Sequence, residues 1–165
     1  MNASQRALAW LAATVGVLAL FVWLTRPMPP DHPRVTPLDG RQVRHILLTR
    51  GETPVVELQR GDAGWRLVSP RREIADDKVV TELLGLLSAR SFRQLPATHD
   101  AARYGLRPPA AIVRFDDTEL AFGAVEPVNH KRYVLGGGRI HLIHDRYARL
   151  VLASRATDFI ATGKN

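Results

Sequence analysis

Histidines at positions 32, 45, 99, 130, 141 and 144 are the side chains in this sequence best suited to bind a metal or move a proton. Only His141 and His144 are close together. On a helix an interval of three puts both on one face, but Ile140 to Ile143 reads as strand, where that interval sends them to opposite faces. Zinc asks for three or four convergent ligands. The chain has no cysteine, the nearby carboxylate is Asp145, and His130 could join only through space. No metal or cofactor is therefore expected, and the histidines are read as exposed or beside a helix cap. Ser69, Ser88, Ser91 and Ser154 lie outside any Gly-x-Ser-x-Gly elbow. Ser88 and Ser91 flank a helix end, where hydroxyls satisfy backbone groups. Asp76-Asp77 and Asp116-Asp117 read as a cap and a turn before they read as acid/base couples, and Gly136-Gly137-Gly138 lacks the Lys-Ser/Thr sequel of a phosphate loop. No catalytic residues are expected, and the chain is read as a non-enzyme.

Binding is the better prospect. The connection Glu126-Pro127-Val128-Asn129-His130-Lys131-Arg132 mixes charge with an exposed valine and has no evident core duty. Loops held by a rigid sheet are frequent contact sites, so Glu126, Asn129, His130, Lys131 and Arg132 are the expected partner-contact residues. A plain hairpin loop is the alternative. Gly16, with small residues Ala9, Ala12, Ala13 and Ala19, offers a second surface on which another transmembrane helix could approach closely.

The elements that would hold these residues can be read from patterning. Alternation predicts strands over 41–49, 55–60 and 65–68, the last two joined by the Gly61–Gly64 turn and the set closed by Pro70. Ala75-Asp76-Asp77 opens a helix whose stripe is Val79, Val80, Leu83, Leu84, Leu86 and Leu87, ending at Arg90. A strand follows over 91–95 with Phe92 inward. Thr98 or Asp100 caps one turn that stops at Gly105. Two hairpins are predicted, over 111–115 with 119–123 and over 132–135 with 140–143. Asp145 caps a final helix to Ala153. The fold class is α+β, an antiparallel sheet with helices packed on its face.

The uncharged run Ala7–Leu24 decides where such a domain sits. Eighteen residues span ~27 Å as a helix, near the lower limit for the hydrocarbon core. Trp10 and Trp23 lie near its ends and Arg6 and Arg26 bracket it. A cleaved leader is the alternative, but the bulky Phe21–Pro27 sequel lacks the small residues of a cleavage site. The arginine distribution points weakly against an inside N-terminus, yet a six-residue tail stays inside more easily than a folding domain. The expected layout is 1–6 cytoplasmic, 7–25 transmembrane, 26–37 a Pro-rich stalk, 38–156 the outer domain and 157–165 a flexible tail. Formal charge is +7, or +5 without Arg6 and Arg26, and almost all of it is arginine. Such a surface attracts anionic lipid headgroups or an acidic partner. The arginines are scattered with no aromatic platform among them, which argues against nucleic acid.

Several short motifs occur in a particular order: Ile46-Leu47-Leu48, Val56-Glu57-Leu58, Gly64-Trp65-Arg66-Leu67-Val68-Ser69-Pro70, Ala75-Asp76, Leu83-Leu84, Tyr104-Gly105-Leu106 with Pro108, Phe122-Gly123 and Arg132-Tyr133-Val134. Over residues 38–154 this order resembles the DUF4340 domain, a family of membrane-anchored bacterial envelope proteins. The resemblance implies an N-terminally anchored periplasmic domain at the inner membrane. It also implies an accessory role, since some relatives sit near or are fused to transport or gliding machinery. It supplies no catalytic residues. Trp65 reads as a core indole, Tyr104-Gly105-Leu106 as a helix stop, and Gly123 as a bulge or turn. The expected function is an accessory or scaffold subunit contacting integral membrane proteins of a larger complex. The alternative is a tethered binding module for a small ligand or an envelope polymer.

Overall fold

The computed structural model describes residues 15, 16, 18, 33–97 and 100–161. The expected cytoplasmic N-terminus, nearly all of the expected span, residues 26–32 of the stalk, the Thr98 cap and residues 162–165 lie outside them. Val15, Gly16 and Leu18 are helical and exposed. No helix among the described residues is long and apolar enough to cross a membrane.

Alternation builds a nine-stranded antiparallel sheet. Its strands are β1 (His45–Arg50), β2 (Thr53–Gly61), β3 (Gly64–Ser69), β4 (Glu73–Ile74), β5 (Arg93–Pro96), β6 (Ala111–Phe115), β7 (Thr118–Val125), β8 (Lys131–Gly136) and β9 (Arg139–His144), in spatial order β4-β3-β2-β1-β6-β7-β8-β9-β5. Register carries the apolar face across the strands: Ile46 pairs with Leu58 and Phe115, Leu48 with Val56 and Val113, and Phe122 with Val134. These residues form one core with α1 (Asp77–Leu84), α2 (Arg146–Ala153) and a 3-10 turn over Gly85–Ser88. The remaining face of β6–β9 carries a second, smaller core of Leu106, Ala121 and Ile140, covered by the 3-10 turn Ala101–Tyr104.

The structure corrects several expectations. β4 was not foreseen; two residues after a proline are too few to show alternation. The first helix ends at Leu84 and tightens at Gly85 into the 3-10 turn, which buries Leu86 and Leu87 together instead of running as α-helix to Arg90. Phe92 is 40% exposed and Ser91 is buried in its place, because β5 begins only at Arg93. Asp145 already has helical backbone angles and caps nothing with its side chain; its carboxylate accepts from Arg132 Nε at 2.6 Å. The other end of α2 is closed from a distance, since Arg50 donates to the carbonyls of Val151 (2.8 Å) and Ser154 (2.5 Å).

Both domain boundaries also move. Val35 and Thr36 are buried, and residues 33–35 pair with 89–91 through Ser91 N–H to Pro33 carbonyl (2.8 Å) and Val35 N–H to Ala89 carbonyl (3.1 Å). Residues 33–35, inside the expected stalk, are therefore already part of the packed domain, because Val35 is apolar enough to join the core. At the other end Phe159 is fully buried and Ile160 pairs with Ala75. Residues 157–161 are thus part of the domain rather than of a flexible tail. Ala161 N–H donates to the Ile74 carbonyl (2.9 Å), so this segment lines the β4 edge.

Candidate functional site

Arg60 closes β2 at the turn into β3, and three open depressions meet at it. One, of about 930 Å³, is lined by Arg34, Arg41, Arg60, Trp65 and Asp77 among others. A second, of about 710 Å³, runs past Gln59, Arg66, Arg72, Glu73 and the exposed Ile74. The third, of about 540 Å³, lies among Arg41, Gln42, Arg44 and Asp62. The six arginines are all exposed. Strand pleat explains Arg66, which points away from the core between inward Trp65 and Leu67. The others come from separate segments that the sheet gathers at one end.

Two of these arginines are held in place. Arg60 Nη1 donates to the Arg41 carbonyl at 2.7 Å, and its guanidinium lies 5.8 Å from the Trp65 ring centre. Arg41 forks onto Asp39 at 2.8 Å. That hydrogen-bonded guanidinium holds the Asp39 carboxyl down at about 2. A guanidinium fixed like that of Arg60 suits recognition of phosphate or carboxylate oxygens, whereas the Arg41 fork is already occupied by Asp39.

The expected contact loop is a mixed case. Val128 is 80% exposed and His130 is exposed with φ of 50°. Asn129 donates to Glu126 at 3.1 Å. Lys131 lies 3.9 Å from the Phe92 ring centre. Arg132 has a structural duty that its sequence context hides: besides Asp145 it donates to the Gly123 carbonyl at 2.7 Å. Gly16 stands apart on its helical residues, with no described atom within 4 Å of where a Cβ would be.

His141 is buried, against expectation, at the end of the apolar row that runs through Val134. Its Nε2 faces the Gly136 carbonyl (3.3 Å) and its Nδ1 the Ser91 hydroxyl (3.0 Å). Burial pushes its pKa down, and Arg139 adds to that. His144 is exposed and accepts from Arg146 N–H at 3.3 Å, beside the start of α2. No group of three or more His, Cys, Asp or Glu among the described residues is arranged to hold a metal ion.

Residues 65–163, more than half of the chain, match the family model described as Domain of unknown function (DUF4340). The chain belongs to the DUF4340 family. The matched stretch begins at Trp65 and extends past residue 154 into the segment that buries Phe159, so β1, all of β2 and Gly64 of β3 precede it although they share the DUF4340 sheet. No curated protein and no solved structure matches the chain.

Two of the family-like motifs in this DUF4340 domain are physically one feature. A Cβ on Gly123 would collide with the Tyr104 carbonyl oxygen, and one on Gly105 would come within 2.9 Å of the Ala124 nitrogen. Gly105 also has φ of 67°, which ends the 3-10 turn. The turn thus lies directly on β7, whose register shifts between Phe122 and Val125. Trp65 is buried against the helices, and Tyr104 stacks on Tyr133 with ring centres 4.6 Å apart. Of the six arginines, Arg34, Arg41, Arg44 and Arg60 precede the matched stretch. In the sequence they read only as scattered charge, since their meeting depends on long-range ties: Arg34 bridges to Arg90, and Arg60 donates to the carbonyls of Arg41 and Arg44.

Proposed function

We propose that this DUF4340 protein is a single-pass accessory or scaffold subunit of a bacterial inner-membrane assembly. Ala7–Leu24 crosses the membrane with the N-terminus cytoplasmic, and the non-catalytic domain makes protein contacts in the periplasm. The reading rests on an uncharged apolar run joined, through a short proline-rich segment, to a rigid sheet domain. The observation that carries it is the outward loop between β7 and β8, where Val128 is 80% exposed beside exposed Asn129 and His130 on a rigid sheet. The second reading, a tethered module for a small ligand or an envelope polymer, is favoured by the depression beside Arg66, Arg72 and exposed Ile74.

The test is affinity capture of the full chain in mild detergent with mass spectrometry of co-purifying proteins, beside a chain lacking residues 1–26. Integral membrane proteins recovered with the full chain are the expected result. Recovery of the full chain from the membrane fraction with no integral membrane protein attached would defeat the accessory reading. Native material released without detergent would defeat the anchor itself.

A further inference from the structure

We propose that the arginine surface around Arg60 is a binding site for anionic lipid headgroups. The proposal rests on the reading of Ala7–Leu24 as a membrane anchor. Its basis is the gathering of Arg34, Arg41, Arg44, Arg60, Arg66 and Arg72 about three depressions that share Arg60. Four carboxylates line the same depressions: Asp39, Asp62, Glu73 and Asp77. Asp39 is spent on Arg41, and the balance remains positive.

Two features make this surface fit headgroups. The depressions are open and, at about 540 to 930 Å³, roomy enough to admit a phosphate headgroup, and guanidinium forks match phosphate oxygens in pairs. Arg60 is already oriented, by the Arg41 carbonyl and the Trp65 ring, so little of its side-chain freedom is lost on contact.

Continuity with the anchor selects lipid over an acidic protein as the occupant. Arg34 lies ten residues beyond Leu24, and ten residues reach at most ~35 Å even when fully extended. Arg34 shares its depression with Arg41 and Arg60. The surface is therefore kept within a short chain length of the headgroups at high effective concentration, where weak individual contacts suffice. An apolar anchor joined to a basic patch is a two-signal arrangement that holds a domain on anionic bilayers.

The chain lacks cysteine, so single probes can be placed in the full-length protein. Ala63→Cys puts a fluorophore on the turn beside Arg60, and Glu52→Cys puts one on the turn at the far end of β2. Each protein is reconstituted in nanodiscs of phosphatidylcholine alone or with added phosphatidylglycerol, and quenching by headgroup-labelled lipid is read. Phosphatidylglycerol is expected to raise quenching at Ala63→Cys and leave Glu52→Cys little changed. Each arginine at an anionic surface shifts the bound population roughly fivefold, so R41Q/R44Q/R60Q should abolish the response. R103Q/R107Q/R149Q, an equal loss of exposed charge elsewhere, should keep it, and far-UV dichroism checks that both variants fold.

Equal responses at the two probes, or a response that survives R41Q/R44Q/R60Q, would overturn the proposal while leaving the anchor intact. Loss of the chain from both kinds of disc would overturn the anchor reading and this one with it. If R41Q/R44Q/R60Q instead loses a co-purifying acidic protein and keeps its phosphatidylglycerol response, the surface belongs to a protein partner and the lipid assignment falls.

Discussion

The two halves of the sheet are built for different ends. Over β6–β9 both faces are covered, by the helices on one side and by the 101–106 turn on the other. Polar groups caught there are consumed internally: Arg132 by Asp145 and the Gly123 carbonyl, His141 by Ser91 and Gly136. Over β1–β4 the described residues cover only the helix-side face. The other face carries exposed Gln59 and Arg66 and the half-exposed His45–Glu57 pair at 2.9 Å. The doubly covered half holds its shape through close backbone crossings, while the singly covered half leaves arginines available. A residue type therefore does not announce its role in this protein; the number of layers over it does.

The sharpest way to break that contrast is to prise the covering turn off β7. Gly123→Ala places a methyl against the Tyr104 carbonyl and is expected to destabilise the domain by about 2–4 kcal/mol, as overpacking at a rigid contact does. Urea unfolding measures it, and a change inside experimental error would show that the turn yields easily. Arg50→Met tests a long-range tie between the halves. It removes a charged donor from the Val151 and Ser154 carbonyls, at a cost of about 1.5–3 kcal/mol.

Acid should strike the doubly covered half selectively. The folded pKa of His141 is depressed by burial, below the value near 6.5 of an unfolded histidine. Its stabilising contribution is therefore complete above that unfolded value and is lost as pH falls through the folded one, since the unfolded chain takes up the proton first. Thermal unfolding between pH 7.5 and 5 should show this loss, and His141→Gln should flatten that part of the profile. The smallest effect is expected in the open half, where R41Q/R44Q/R60Q should move stability by only about 0.5 kcal/mol. A large loss there would mean that these arginines serve the fold and not the surface.

Much of the framework was legible because alternation and turn chemistry act locally. The β6–β7 and β8–β9 hairpins follow from Asp116-Asp117 and the glycine turn, and the meander from Gly61–Gly64. β4 was invisible for want of length, and Phe92 was misjudged because β5 starts one residue after it. Asp145 had the right position for a cap, but a competing arginine thirteen residues earlier claimed its carboxylate. The arginine surface could not be read at all: Arg34, Arg44 and Arg72 share no periodicity and lie outside the strands, and contacts far apart in sequence, such as the Arg34–Arg90 bridge and the Arg60–Arg44 backbone bond, set their places. The mutual fit of Gly105 with Ala124 and of Gly123 with Tyr104 was equally hidden, since each glycine alone reads as a turn.

The C-terminal segment carries one more implication. Ile160 lies opposite Ala75, with Ala161 N–H donating to the Ile74 carbonyl and Asp76 N–H to the Phe159 carbonyl along the outer margin of β4, some 85 positions earlier in the chain. Synthesis runs from the amino end, so this rim of the sheet is made early and stays bare until residues 159–161 have left the ribosome. A nascent chain of this kind thus passes through a stage when every strand exists yet one row of backbone donors and acceptors still awaits its cover. Loss of residues 159–161 would remove that seam.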